Sequence, residues 1–403
     1  MGCTYLLDES DPLGLVWFEV VVCGGTNHGG VWRCKGAFAS KKSRTIKKMK
    51  QPTAISLQDA FDQFIAAVTR GKRKKPNGHS LQPAVIDHYR NTQKNIAQFE
   101  KHTHKTYSIQ FVHSSAAGRW QKEKRYWKGF LENYLRYGRT TMHWSDTYLD
   151  HSLKALKAVF NYLANARGLP VGNFQKDFAV KAWQAPPLVI MPQRLQWLIN
   201  NETFQKSLPP CLEKVLDTMI IGCTVGLRFQ DLMALRPSSL ETIGGHAYIA
   251  THTSKTGTPV RIPLPPYAVS ILHKYYRKTN KRLLPQLCNN QFNNQMKAIG
   301  KLAGWTEDTP KYRSVKGRQT EIKNKNGKTW KYYEHLSAHT MRRTAITTLL
   351  LMGVEESVVR TLSGHAPGSK EFYRYVAFVQ GYLDKQVKRA HQLLMENPTC
   401  FMD

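Results

Sequence analysis

Hydrophobic residues recur at helical spacing in the middle of the chain. One run advances in steps of three and four residues, which places its members on a single face of a helix: Leu149, Leu153, Leu156, Phe160 and Leu163. The pattern predicts a helix over 145–166, and Gly168 stands where such a helix is expected to end. From about residue 56 a shorter run predicts another helix with these residues on its buried face: Leu57, Ala60, Phe61 and Phe64.

The first 50 residues show a different pattern. Two runs rich in β-forming residues, Leu15–Cys23 and Val31–Phe38, flank the glycine-rich loop Gly24–Gly30. A loop of this kind between two strand-like runs predicts a β-hairpin, so we expect residues 1–50 to form a small β-rich module. The basic stretch Lys41–Lys50 closes it, either as a linker or as a strand that contacts phosphate.

A proline-rich segment divides the rest of the chain. Residues 184–193 contain three prolines and little charge, which predicts a linker. Before it we expect a small helical domain over 56–175, and after it a mixed, mainly helical domain over 190–403. The predicted fold class is therefore mainly α with small β elements.

The charge of the chain indicates a polyanionic partner. Its 403 residues include 59 Lys and Arg against 28 Asp and Glu, a formal net charge of +31. The dense phosphate charge of nucleic acid fits this excess better than a merely solvated basic surface does. Within the helical domain, Lys72–Lys75 and the aromatic and basic run Trp120–Tyr137 predict a basic face, although a bundle with ordinary solvated lysines is the alternative.

Other classes of protein fit the sequence less well. No segment reaches the roughly 20 apolar residues of a membrane span, no basic amphipathic anchor stands out, and the acidic residues 1–15 differ from a signal peptide. The seven cysteines are scattered without a CxxC pair, so we expect neither disulfides nor a metal site. We therefore expect a cytoplasmic protein that uses no membrane, metal or cofactor.

The first candidate catalytic residues are an arginine and a lysine in the last domain. Arg228 follows a helix-breaking glycine and lies in a turn before the next helix, where its guanidinium can reach a ligand. Asp231 is predicted to hold an arginine in a bidentate pair, but a purely structural pair is equally consistent. Lys255 is predicted at the tip of a mobile hairpin, between Ala247–Thr251 and Val260–Pro263, where most lysines only add solubility.

Two further elements follow towards the C-terminus. A predicted N-capping serine begins a helix that carries His339 and Arg342 three residues apart, on one face near the positively polarised N-terminus. This geometry suits an anion. A Gly-His pair that contains His365 ends another helix, and a loop then leads to a helix with Tyr373 and Tyr375.

The order of these elements resembles the motifs of the tyrosine recombinase (phage integrase) family: G-L-R-x-x-D, a hairpin lysine, H-x-x-R, G-H and a tyrosine ten residues later. The words S-A-H-T-M-R-R-T and S-G-H-x-P-G-S-K-x-F-x-R-Y are similar to those of mobile-element integrases of the Bacteroides group. The resemblance is strong over 190–395. It is weaker over 56–175, which resembles the family's core-binding (SAM-like) domain, and loose over 1–50, a candidate arm-type DNA-binding module.

The resemblance implies a recombinase that cuts and rejoins double-stranded DNA through a 3′-phosphotyrosine intermediate, without metal, ATP or cofactor. It implies that Arg228 and Arg342 clamp the scissile phosphate and that His365 adds a hydrogen bond. His339 would take and return the proton of the tyrosine, and Lys255 would protonate the leaving 5′-oxygen.

We assign the nucleophile to Tyr375 over Tyr373. In many family members the tyrosine lies nine residues after the histidine of Gly-His, a position that Arg374 occupies here. The ending Phe-x-Arg-Tyr matches the mobile-element members if the preceding loop is one residue longer, whereas a shorter loop favours Tyr373. The run Val379–Met395 is predicted to form an amphipathic C-terminal helix, which docks on a neighbouring protomer of a DNA-bound tetramer or packs on its own domain.

Several functions share these motifs. The additional N-terminal module favours integration and excision of a mobile element, with DNA inversion and dimer resolution as alternatives. A type IB topoisomerase fits less well because the chain has a separate helical domain and a C-terminal helix. A cleavage-inactive DNA-binding protein would have no need for Lys255 and Tyr375 together.

Overall fold

The computed structural model of the protein describes residues 53–71, 78, 80–112, 117–255, 257–279 and 281–396. The β-hairpin expected within residues 1–50, the basic stretch Lys41–Lys50 and the run Lys72–Lys75 lie outside the described residues. The described part is mainly helical with small antiparallel sheets, as the sequence predicts. None of its helices combines the length and the apolar character needed to cross a membrane.

The N-terminal helical region comprises residues 53–178. Its elements are β1 (Ala54–Ser56), α1 (Leu57–Thr69), α2 (Pro83–Thr103), β2 (Ser108–Gln110), α3 (Ala117–Thr140) and α4 (Asp146–Asn161), followed by a π-helical turn (Tyr162–Ala166) and a 3-10 turn (Phe174–Asp177). Strands β1 and β2 pair antiparallel. The aromatic and basic run that begins at Trp120 lies within α3.

The two helices predicted from periodicity in this region are confirmed. Ser145 caps α4 by accepting a hydrogen bond from the Tyr148 N–H (3.3 Å), and Gly168 follows with a φ of 61°. The five predicted apolar residues, four in α4 and Leu163 in the π-helical turn after it, are buried, as are the four of α1. Each fully buried leucine or phenylalanine contributes about 1.5–3 kcal/mol. The end of the predicted helix differs, because its last turn is π-helical.

The C-terminal region comprises residues 190–396, after a connecting segment (179–189) without helix or strand. Its elements are α5 (Pro192–Asn200), α6 (Glu202–Ser207), α7 (Pro210–Val225), α8 (Phe229–Ala234), β3 (Leu240–Ile243), β4 (His246–His252), β5 (Pro259–Pro263), α9 (Pro266–Thr279), α10 (Asn289–Leu302), β6 (Lys311–Val315), β7 (Arg318–Ile322), α11 (Ala338–Leu351), α12 (Glu356–Leu362) and α13 (Lys370–Glu396). Strands β3, β4 and β5 form one antiparallel sheet, and β6 and β7 form a separate hairpin.

Helix α7 lies at the centre of this region and packs closely against α11. A Cβ atom added at Gly222 of α7 would lie 2.5 Å from the sulfur of Met341 on α11, so only glycine permits the two helices to approach this far. The close approach matters for the site, because Met341 precedes Arg342 and Gly222 lies one turn before the end of α7.

Helix α13 is longer than the sequence indicates. The predicted helix over 379–395 is not separate, because it continues the helix that carries both candidate tyrosines. Along this continuous helix, Leu383 and Val387 are 40% and 54% exposed. These two apolar side chains therefore do not pack fully on their own region, and docking of the helix on a neighbouring protomer stays a prediction.

The two regions have separate hydrophobic clusters and are joined by a polar network at the β6–β7 hairpin. The carboxylate of Asp146, at the start of α4, pairs with Arg139 (2.8 Å). It also accepts hydrogen bonds from the Ser314 hydroxyl (2.8 Å) and the Gly317 N–H (2.7 Å) of the hairpin. The division into domains at 184–193 stays a prediction.

Candidate active site

Arg228 lies in the turn between α7 and α8, as the sequence predicts. Gly226 ends α7 in the left-handed conformation (φ 65°), and α8 begins at Phe229. The predicted bidentate pair with Asp231 is wrong, because one contact of 4.0 Å joins Arg228 Nη1 to Asp231 Oδ2. Among the described residues neither of these buried atoms has a hydrogen-bond partner, so Arg228 keeps an unused donor.

Asp231 instead supports the hairpin that carries Lys255. Its Oδ1 accepts a hydrogen bond from the Ser254 N–H (3.0 Å), directly beside the lysine in the β4–β5 turn. The Gly257 N–H donates to the Thr253 carbonyl (2.7 Å) and closes the base of the turn. Lys255 itself is exposed, so the turn is anchored while its ammonium group is in solvent.

Arg342 is the most deeply buried of the candidate residues, at 2% exposure. Its Nη1 donates to the carbonyl of Gly226 (3.0 Å) and its Nη2 to the carbonyl of Ser363 (2.7 Å). These bonds tie the end of α7, the body of α11 and the end of α12 together. His339, three residues earlier in α11, lies at the surface of the same site, where neighbouring groups partly cover its ring.

His365 contacts the guanidinium of Arg342 and is oriented by a serine. Arg342 Nη2 lies 3.3 Å from His365 Nδ1 and 3.2 Å from Nε2, so it is not directed at one ring nitrogen. Ser363 Oγ lies 2.7 Å from Nδ1. The Ser363 hydroxyl has one proton, which it donates either to the Arg360 carbonyl (3.1 Å) or to Nδ1. In the second arrangement the neutral ring carries its proton on Nε2, which can then donate to an anion.

Positive charge and burial lower the pKa values of the site. Burial, then the charges of Arg343 and Arg342, lower the pKa of His339 to about 4. Burial, then Arg342 and Arg228, lower the pKa of His365 to about 4. Both histidines are therefore neutral near pH 7, and a bound anion would be stabilised by the surrounding cations.

The Arg342 guanidinium responds to the same surroundings. Burial, followed by the charge of Arg228, lowers its pKa to about 10, and Tyr375 and Asp231 act in the opposite direction. The charge of Arg228 therefore acts on Arg342, and two guanidinium groups at one site favour a bound anion.

The structure places the two candidate tyrosines differently. Tyr375 is 5% exposed, with its ring centroid 6.3 Å from that of His365. Tyr373 is 49% exposed and points away on the same helix, since two residues correspond to about 200° of rotation. The geometry therefore favours Tyr375, whose buried ring lies beside that of His365.

All six candidate residues lie around one site, but the sequence missed the groups that hold them. Ser363 orients His365, and Asp231 anchors the β4–β5 turn, a role that its spacing from Arg228 does not indicate. A Cβ added at Gly364 would lie 3.0 Å from Thr253 Cγ2, so this glycine allows the turn before His365 to pack against the hairpin base. Such contacts between distant segments have no signal in local spacing.

Comparison with known proteins agrees with this geometry. Residues 213–378 match the phage integrase family, a range that contains all six candidate residues. This part of the chain is therefore similar to a phage integrase family domain. No curated protein matches the sequence.

Three solved structures share the fold at low identity. A lambda integrase dimer bound to a COC′ core site has a TM-score of 0.51 and 13% identity, over 80% of this chain and 77% of that one. The Tn1549 transposon integrase in complex with circular intermediate DNA has a TM-score of 0.50 and 12% identity, over 80% and 95%. The XerH recombinase bound to palindromic difH substrate has a TM-score of 0.50 and 15% identity, over 85% of both chains.

Proposed function

We propose that the protein is a site-specific DNA recombinase of the tyrosine type. The observation that carries the proposal is the pair of arginines at one site. Arg342 is held by two carbonyls, and the buried Nη1 of Arg228 has no hydrogen-bond partner among the described residues. A phosphodiester between them would supply the missing acceptor and offset the repulsion between the two guanidinium groups.

The same groups account for cleavage. The Tyr375 oxygen attacks the phosphorus, the bond from phosphorus to the 5′-oxygen breaks, and a 3′-phosphotyrosine remains. His339 accepts the phenol proton, and Lys255 gives a proton to the leaving 5′-oxygen. Arg228, Arg342 and the Nε2–H of His365 stabilise the charge that gathers on the non-bridging oxygens.

The energetics of this reaction require no cofactor. One phosphodiester is exchanged for another, so the bond energy is kept in the phosphotyrosine and reused when a 5′-hydroxyl attacks it. We therefore propose that the protein needs neither ATP nor a metal ion, and that double-stranded DNA is its substrate.

The arrangement of the chain supports a clamp around the duplex. The N-terminal helical region and the C-terminal region each supply basic surface, in a chain of net charge +31, and together they would contact the phosphates on both sides of the site. The exposed apolar side chains of α13, Leu383 and Val387, would dock on a neighbouring protomer, and four protomers would assemble on two DNA sites.

Among recombinase functions, integration and excision of a mobile element is the one we favour. It rests on the additional N-terminal residues and on the motif resemblance to mobile-element integrases of the Bacteroides group. Inversion and dimer resolution use the same chemistry and differ in the arrangement of DNA sites. The DNA that flanks the gene would distinguish them, since an integrase is expected beside an attachment site.

Covalent capture on DNA of random sequence tests the proposed chemistry and selects the target site in the same step. The full chain is incubated with a library of nicked duplexes that carry a randomised centre, in EDTA, and denatured complexes are recovered. We expect a protein–DNA adduct joined to a 3′-phosphate, enriched for one sequence. DNA that binds but yields no adduct, or an adduct that requires a divalent ion, would contradict the proposal.

A further inference from the structure

The segment that connects the two regions is held by side chains from catalytic helices. The Thr344 hydroxyl of α11 accepts a hydrogen bond from the Ile190 N–H (2.9 Å). Arg374 of α13 donates from Nη2 to the carbonyl of Ala185 (2.8 Å). These residues lie two positions after Arg342 and one position before Tyr375, so the path of the connecting segment and the placement of both groups are linked.

The same segment is held from the other side by the β6–β7 hairpin. Ser314 Oγ accepts a hydrogen bond from the Trp183 N–H (2.8 Å) and donates to the buried carboxylate of Asp146 (2.8 Å). A connected path therefore runs from Asp146 of the helical region to Arg374 of the nucleophile helix. Hydrogen bonds join Asp146 to Ser314, Ser314 to Trp183, and Ala185 to Arg374. Between Trp183 and Ala185 the path follows the backbone.

The network on the side of the helical region is fully satisfied. Burial alone would raise the pKa of Asp146, but the Gly317 N–H, the Ser314 hydroxyl and Arg139 lower it below its usual range. The carboxylate stays ionised and has four donors at 2.7–3.0 Å. Buried charges with all their hydrogen bonds made fix geometry more strictly than apolar contacts do.

We propose that Arg374 is a positioning residue that fixes Tyr375 by holding the start of α13 on the connecting segment, and that Ser314 and Asp146 fix that segment from the helical region. The proposal rests on the function proposed above. Closure of the two regions on DNA would move the connecting segment, and Arg374 would transmit that movement to the nucleophile. Its second bond, to Glu371 (3.1 Å) on the preceding turn, stiffens the same end of α13.

Single-turnover cleavage separates this role from a structural or DNA-binding one. The probe is the nicked duplex recovered from the randomised library by the unmodified protein, with the protein in excess. Arg374→Ala is expected to slow adduct formation by about 10–10²-fold, because small misplacement of a reacting group has an effect of this size. The dissociation constant and the melting temperature should change little. Arg389→Ala, which removes an exposed arginine further along α13, is the matched control.

The conservative variant distinguishes positioning from a direct phosphate contact. Lysine has one ammonium group and cannot donate to Ala185 and Glu371 in the same planar geometry, so Arg374→Lys should recover only part of the cleavage rate. If Arg374 contacted DNA, Arg374→Ala would weaken binding and Arg374→Lys would restore it, and the proposal would be overturned.

A double-mutant cycle tests the link to the helical region. Ser314→Ala removes the hydroxyl between Asp146 and Trp183 and leaves the pair of Asp146 with Arg139 in place. It should slow cleavage, and combination with Arg374→Ala should add little further effect, because both break one path. Thr320→Ala, on the exposed face of the same hairpin, is the control. If the double variant slowed cleavage by the product of the two single-variant factors, the proposal would be contradicted.

Hydrogen exchange gives a measurement that does not depend on activity. Amides of residues 371–376 at the start of α13 should exchange faster in Ser314→Ala than in the Thr320→Ala control. An unmodified protein that forms no adduct would refute the proposed function. An active protein in which Ser314→Ala leaves both exchange and cleavage unchanged would refute the positioning role alone.

Discussion

The floor of the candidate site, formed by Arg342 and His365, differs from its rim, formed by Arg228 and Lys255. In the floor, Arg342 is buried and His365 is half-buried, and their hydrogen bonds are made within the protein, to backbone carbonyls and to Ser363. The rim includes an exposed ammonium group and a buried guanidinium nitrogen without a partner among the described residues. The floor is therefore part of the fold, whereas the rim is completed by its ligand.

The largest difference between a buried and an exposed position of the site is expected at the two tyrosines. Tyr375→Phe removes one hydroxyl from a side chain that packs beside the floor, so we expect complete loss of the DNA adduct with little change in binding. Tyr373→Phe, on the exposed side of the helix, should retain cleavage. Denaturing gels of the captured complex measure both, and the reverse result would move the nucleophile to Tyr373.

Substitution of Lys255 tests whether this rim residue gives a proton to the leaving 5′-oxygen. Lys255→Ala should slow cleavage by about 10²–10⁴-fold, the range of general acid catalysis, with no loss of stability because the side chain is exposed. A substrate with sulfur in place of the 5′-bridging oxygen needs no proton on its leaving group and should restore the rate. If the sulfur substrate gives no rescue, Lys255 does not act as the general acid.

Substitutions of the two arginines should have similar effects on cleavage but different effects on stability. Removing either charge should slow cleavage by about 10²–10³-fold. Arg342→Ala should also lower the free energy of unfolding, because each buried carbonyl left without a donor costs about 1–3 kcal/mol. Arg228→Ala should lower it less, since it removes repulsion from Arg342 and takes from the buried Asp231 carboxylate only a contact of 4.0 Å. Chemical denaturation of both variants is the measurement, and equal destabilisation would remove the distinction between floor and rim.

The last expected effect is on the pH dependence of stability. His339 and His365 have folded pKa values of about 4, below the value of about 6.5 for an unfolded histidine. Below pH 6.5 the unfolded chain therefore binds more protons than the folded protein. The free energy of unfolding should decrease as the pH is lowered from about 6.5 to about 4. His365→Gln should weaken this dependence, and an unchanged slope would show that the histidine is not perturbed.

The sequence allows some parts of this account to be predicted and not others. Helices α1 and α4 of the N-terminal region follow from apolar spacing, because residues such as Leu149 and Leu153 need only a local period to lie on one face. The common site of Arg228, Lys255, Arg342 and His365 is predicted by the resemblance of their order along the chain to the motifs of the phage integrase family. The motif resemblance assigns the nucleophile to Tyr375 over Tyr373, and the burial of Tyr375 against the exposure of Tyr373 favours the same choice.

Contacts between distant segments account for what the sequence did not reveal. Asp231 is three residues from Arg228, and local spacing therefore predicts a pair, yet its carboxylate is used by the Ser254 N–H of a hairpin more than 20 residues away. The bond between Arg374 and Ala185 spans 189 positions. Neither contact has a periodic or compositional signal, since each depends on how complete elements pack.

Mass spectrometry of the captured adduct tests the central claim most directly. Trypsin cleaves after Arg374, so Tyr373 and Tyr375 fall in different peptides, 371–374 and 375–385. The account predicts a nucleotide joined through a 3′-phosphate to the peptide 375–385, with fragmentation placing it on Tyr375. A nucleotide on the peptide 371–374, or on Tyr382, would contradict the assignment.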